Sequence, residues 1–461
     1  MTIPLDEFPQ PSSSDSLIFK QLQLIYLVAY GFAAGILLLL FPTPSPSPPS
    51  HRFPHFSLSL IAGNNLQGSY RYALLASYNI PRSTIESLYL CAHLSTLCLG
   101  TITSSLSDKF GRRLACILSS VFYTIHCLSL NFNILSVLVL GSIFRGMAHS
   151  LYNTNFESWL LQEHHDNDLD TDSLKHLLRN AFVCATSSAV AAGIVAQVSA
   201  ELLGYRAPFE VAIGIYLVMI VFVLWKWREN YGDREAKATE SFVLAIKVIR
   251  TDLRVLLVGL STCLFEATVY IYAMEWTPAL QEAKEWIISE RLPLGFMFSG
   301  FMTFNMMGAF LFKVLAKRFD VHSYLPVVMV IAAAALGVLV VVPDAQILVF
   351  AGLCMYELCV GIYMPSISLL RNRYLPDSVR STLMNYFRIP RFLLMFAVIV
   401  WHLPLSVIFT SCVVMLVLAG ICLVVLQNMR PREEDQRESE RVVLLPASPQ
   451  MTAIEMTETG E

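Results

Sequence analysis

Charge is scarce in this chain. Only 15% of its 461 residues are Asp, Glu, Lys or Arg, against about 25% in soluble domains, so a water-soluble enzyme is a poor fit. The net charge of -3 offers no basic field to a phosphate backbone and excludes nucleic acid as a partner. Cysteine pairs with metal or disulfide spacing are missing. All ten cysteines (Cys91, Cys98, Cys116, Cys127, Cys184, Cys263, Cys354, Cys359, Cys412, Cys422) fall within or at the edge of apolar runs, where neither a disulfide framework nor a zinc site belongs. No Asn-x-Ser/Thr sequon occurs, so glycosylation marks no loop as external. With no nucleophile–base constellation and no phosphate-cradling loop, the sequence assigns no catalytic residue, no cofactor and no metal.

What is abundant is apolar. Hydrophobic residues make up 55% of the chain and the mean hydropathy is +0.57, in runs long enough to cross a hydrocarbon core of about 30 Å. The expected fold is an all-α membrane protein with two six-helix bundles and an extra N-terminal anchor. Its divisions are a disordered start (1–20), an anchor helix (21–42), a Pro/Ser linker (43–55), a first bundle (56–228), a cytoplasmic linker (229–252), a second bundle (253–428) and a disordered cytoplasmic tail (429–461). Lipid is thus the first partner, the chain is multi-pass with the plasma membrane as the expected residence, and a monomer is expected.

Orientation hangs on Leu106-Ser107-Asp108-Lys109-Phe110-Gly111-Arg112-Arg113, between apolar runs at 84–105 and 114–130. An Asp and three cations do not sit in lipid, so the stretch reads as a short surface loop, and its cations put it on the cytoplasmic side. Counting helices outward from it leaves Lys317, Arg318, Arg371 and Arg373 on that same side. The stretch resembles the loop between the second and third helices of major facilitator superfamily transporters. It makes Asp108, Arg112 and Arg113 gating candidates. Glu157 and Arg179, near the inner ends of the fourth and fifth helices, could close an ion pair on the same side, structural or gating.

Five charges stand inside apolar spans: Arg71, Arg145, Glu266, Glu357 and Arg388. Each would cost about 2.5–3.5 kcal/mol at mid-bilayer facing lipid, so they must line a cavity or pair with one another. Asn64, Gln67 and Arg71 are spaced three and four apart and share a helix face, and Arg145 on the fourth helix could converge on them. These residues, with Arg388, are the candidate substrate contacts. Glu266 and Glu357 are the proton-coupling candidates.

Further motifs narrow the resemblance. Leu264-Phe265-Glu266, Trp276-Thr277-Pro278-Ala279-Leu280, Glu357-Leu358-Cys359-x-Gly361-Ile362-Tyr363-x-Pro365-Ser366 and Asn385-Tyr386-Phe387-Arg388-Ile389-Pro390 resemble the molybdate-anion transporter family of that superfamily. So do Leu66-Gln67-Gly68-x-Tyr70 and Phe156-Glu157-Ser158-Trp159. The likeness covers roughly residues 56–428. This chain departs from it at Asn64, where the family has an acidic residue, and at Ser142, where it has Arg, with Arg145 about one turn further on. The resemblance implies a secondary transporter working by alternating access on molybdate, with protons as candidate coupling partner. Another solute, such as a sugar or organic anion, and a non-transporting receptor or scaffold remain the alternatives.

Overall fold

The structure, a computed structural model, describes residues 54–166, 171–227, 229, 238–285, 291–376, 380–401 and 403–429. The expected anchor, most of the Pro/Ser linker and the tail after 429 lie outside them. The first bundle holds α1 (Pro54–Ser77), α2 (Arg82–Phe110), α3 (Arg112–Ser129), α4 (Leu135–Asp166), α5 (Thr171–Leu203) and α6 (Ala207–Lys226). A short helix, α7 (Ala238–Thr251), precedes the second bundle. That bundle holds α8 (Leu253–Glu282), α9 (Leu294–Arg318), α10 (Val321–Val341), α11 (Gln346–Tyr374), α12 (Arg380–Val400) and α13 (Leu405–Asn428). The chain is therefore an all-α, multi-pass membrane protein of two six-helix bundles.

Helices are what lipid permits, because each backbone N–H must find its acceptor within its own segment. Nine of the helices, α4–α6 and α8–α13, contain a stretch long and apolar enough to span on composition alone among the described residues. Of the other four, α7 is short, and α1 to α3 carry the polar residues that the first bundle turns inward, such as Gln67, Ser69, Arg71, Ser119 and His126, all buried. Helix starts follow local chemistry: Asp252 caps α8 by accepting the Arg254 N–H at 2.9 Å, and prolines 293 and 404 stand just ahead of α9 and α13. Inside the second bundle, Gly308 of α9 faces the Leu358 carbonyl and Gly361 of α11 faces that of Asn305. Small residues let these two backbones touch.

One expectation needs correction. Residues 106–113 are not a loop. Residues 106–110 continue α2 and Arg112 opens α3, so only Gly111 lies between the helices. Polarity there marks the edge of the membrane, not the end of the helix. Gly111 takes a left-handed φ of 115°, which only glycine adopts without strain. A β-carbon on it would come within 2.3 Å of the Glu229 side chain. Glu229 in turn accepts the Arg113 N–H at 2.8 Å, a carboxylate placed on the orphan donors at the N-terminus of α3. Arg113 donates from its guanidinium to the Leu224 carbonyl at 2.8 Å, tying α3 to the end of α6.

Gly111→Ala should therefore destabilise the solubilised protein by about 1–3 kcal/mol, read as a lower unfolding midpoint in detergent. An unchanged midpoint would mean the turn relaxes freely.

The bundles meet at the end where α1 finishes and α2 begins, the outer end by the cation bias. There α5 crosses α9. A β-carbon on Gly193 would lie 2.6 Å from the Gly295 carbonyl, and one on Gly295 would lie 2.4 Å from that of Gly193. Ser299 donates to the Val190 carbonyl at 2.8 Å. The Gln197 side-chain oxygen accepts both the Gly295 N–H at 2.9 Å and the Tyr70 hydroxyl at 2.7 Å. Gly295 sits in the first turn of α9, whose N–H groups lack intrahelical acceptors, so one bundle supplies the cap for a helix of the other. These contacts join the two bundles at that end.

Candidate functional site

Arg71 is 5% exposed and is positioned by its own helix. Gln67, one turn earlier, accepts from the Arg71 guanidinium at 3.2 Å and donates to the Tyr216 hydroxyl of α6 at 2.7 Å. Tyr216 stacks on Tyr123 of α3 with ring centroids 5.3 Å apart. The guanidinium also lies over the Tyr89 ring of α2, 5.3 Å from its centre. Arg71 is thus aimed by an amide and an aromatic face, and no acid pairs with it among the described residues.

Beside it is a cavity within the first bundle, lined by Arg71, Tyr89, His126, Ser142 and Arg145 together with leucines and an alanine. None of its lining residues is acidic. The Nε atoms of both arginines and both ring nitrogens of His126 are buried without a hydrogen-bond partner among the described residues. Unsatisfied buried donors are costly and rare, and two guanidiniums sharing one enclosure repel each other. Such a cavity is built to receive something negative that accepts hydrogen bonds. It now has room for about one water molecule, so a larger anion enters only when the bundle or its outer end opens.

The other candidates fall elsewhere. Asn64 is half-buried on α1 but does not line the cavity, and Arg388 is exposed on α12 and does not line it either. Glu266 is clasped by Arg371 of α11 and Arg391 of α12. Arg391 also lies over the Tyr270 ring, 4.6 Å from its centre. Glu357 is 5% exposed and accepts from the Asn305 side chain at 2.8 Å, a neutral partner. The side chains of Asp108, Glu157 and Arg179 lie outside the described residues. Arg112 and Arg113 open α3 as given above.

Sequence reasoning missed His126, a lone histidine in an apolar run. It missed Arg391, which follows Arg388 by three residues on the same helix face and could have been read from that spacing. It also missed an ion-pair cluster at the outer end. Arg82, at the start of α2, contacts Glu86 at 2.7 Å and the buried Glu275 of α8 at 2.7 Å.

Known proteins align with this picture. Residues 24–356 match a family described as sugar transporters with 12 transmembrane segments. The molybdate-anion transporter of Xenopus laevis is 29% identical over 400 residues, covering 82% of this chain and 85% of that protein. The molybdate-anion transporter of Danio rerio is 29% identical over 365 residues, covering 71% of this chain and 74% of its own length. Among solved structures, the nucleoside transporter NupG superposes with a TM-score of 0.65 at 10% identity, covering 83% of this chain and 99% of that one. That likeness speaks for the fold alone. With two six-helix bundles and a family match running from the anchor region into the second bundle, the chain belongs to this twelve-span transporter family of the major facilitator superfamily.

Proposed function

We propose that the chain is a secondary transporter that carries a tetrahedral oxyanion, molybdate, by alternating access, with the substrate held by Arg71 and Arg145. The observation that carries this reading is the pair of guanidiniums lining one cavity with no acidic group. A dianion would balance both charges and accept the free N–H groups in charge-assisted bonds. The relatives named as molybdate-anion transporters support the choice of anion. A neutral sugar, which the family description suggests, would leave both charges uncompensated. Uptake of radiolabelled molybdate by cells expressing the chain, challenged with excess sugar, tests the reading: uptake that sugar abolishes and molybdate does not saturate would overturn it. The chain acts as a monomer in this scheme. The inner ends are gated through Asp108, Arg112, Arg113, Glu157 and Arg179, and Asn64 and Arg388 meet the substrate in other stages of the cycle.

Coupling to protons belongs to the same proposal, with Glu357 as its carrier. Its carboxyl faces the neutral Asn305 amide and Tyr272 hydroxyl and no cation pairs with it among the described residues, so it gains and loses a proton without breaking an ion pair. Glu266, the other candidate, is held by two arginines. The expected result of Glu357→Gln is loss of pH-driven uptake with exchange of molybdate across the membrane retained. Glu266→Gln instead strands two half-buried guanidiniums and lowers the yield of folded protein. Unchanged pH dependence in a well-expressed Glu357→Gln variant would remove that residue from the mechanism.

A further inference from the structure

The cluster at the outer end has an unbalanced charge. Arg82 contacts two carboxylates, Glu86 on its own helix and Glu275 on α8, each at 2.7 Å. The Glu86 and Glu275 side chains are 5% and 1% exposed, while Arg82 keeps 23%. Glu282, 3.5 Å from the same guanidinium, is 63% exposed and screened by water. The other titratable groups facing the cluster are Tyr72 on α1, Tyr89 on α2 and the Cys412 thiol on α13. None of them adds a positive charge, and the guanidiniums beside Tyr89, Arg71 and Arg145, form no ion pair with either carboxylate among the described residues. Among the described residues the two buried carboxylates thus contact one cation between them, one negative charge more than positive.

A second observation marks where that charge is met. Glu275 is fully buried, and its Oε1 has no hydrogen-bond partner among the described residues, whereas Oε2 is held by Arg82. A bare carboxylate oxygen in a dry site is among the costliest groups to bury. Two carboxylates sharing a site do not both keep their charge there.

We propose that Glu86 and Glu275, bridged by Arg82, form a proton-binding site that assembles only when the outer end closes. A proton from the outer aqueous phase settles on a carboxylate oxygen of the pair as α2 and α8 come together. It returns to water when they part. Arg82 belongs to the first bundle and Glu275 to the second, so the site does not exist in one bundle alone. Closing the outer end then takes up one proton, and acid outside favours the closed form. This holds whatever the substrate is, and it is separate from Glu357, which lies on α11.

The test needs no substrate. Spin labels on Asn133→Cys and Asp344→Cys, both exposed in outer loops of different bundles, report closure as an interspin distance. The full chain is placed in lipid nanodiscs with the exposed Cys98 changed to Ser. Between about pH 8 and about pH 5.5 the ratio of short to long distances should rise about tenfold or more. Glu275→Gln, which keeps the shape and removes the charge, should give the short distance at both pH values. Glu86→Gln should do the same and serves if the first variant folds poorly. A wild-type distance distribution that is identical at the two pH values would overturn the proposal. So would Gln variants that follow pH as the wild type does.

Discussion

Changing Arg71 and Arg145 together to Gln is expected to raise the half-saturation concentration for molybdate uptake by a hundredfold or more. A hydrogen bond to a charged group contributes about 1.5–3 kcal/mol, and both guanidiniums line the cavity with donors to spare. Losing two such contacts is worth about 3–6 kcal/mol, or roughly two to four powers of ten in affinity. Arg71→Gln alone should be the more severe single change, since Gln67 and Tyr89 hold that side chain in place, and Arg145→Gln the milder. The variants should be well folded and even somewhat more stable when empty, because they remove buried charges that no acid neutralises. Affinity should fall while stability holds or rises, a combination that a structural role for the arginines would not give. Uptake measured against molybdate concentration, normalised to surface expression, reads the first quantity, and thermal unfolding reads the second. A double variant with unaltered half-saturation would place the site elsewhere.

Gly193→Val is expected to stop the cycle by a different route. The β-carbon would be forced against the Gly295 carbonyl and the Ser299 hydroxyl, and the obstacle is in part backbone, which does not swing aside. Overpacking of this kind costs about 1–3 kcal/mol. Here the cost falls on bringing the bundles together, not on folding either one, since α5 and α9 belong to different bundles. Net uptake should drop roughly tenfold to a hundredfold with expression and molybdate binding from the outside preserved. Gly193→Ala should show the same defect in milder form. If Gly193→Val transports normally, the α5–α9 crossing is not the outer seal.

Much of this was readable before any coordinates. Apolar runs long enough to span fix helices almost by themselves, because lipid leaves the backbone no alternative. Charges inside such runs announce a cavity for the same reason, which is why Arg71 and Arg145 stood out. The stretch 106–113 was misread because a polar residue at the membrane surface looks the same whether its backbone turns or stays helical. Pairings were the other blind spot. Glu266 and Arg391 are 125 residues apart in sequence, and Arg82 and Glu275 are 193 apart. Nothing local in a sequence records a partner on another helix. His126 was hidden for a related reason: a histidine in an apolar run looks alike whether it packs in a core or, as here, lines a cavity beside two arginines.

The cavity lies wholly within one bundle, while the carboxylate clasped by two arginines lies wholly within the other. Two halves built on one plan have thus divided the labour. In the proposed scheme the first bundle selects the cargo, because its two cavity arginines face no acid among the described residues. In the second, Glu266 is balanced within the bundle by Arg371 and Arg391. On that scheme, drift around the cavity of the first half would change the cargo, and drift in the second would act on coupling and on the rate of the cycle. A lineage of such proteins could acquire new cargoes by rewriting a few positions on α1, α3 and α4 while inheriting the rest of the machine intact.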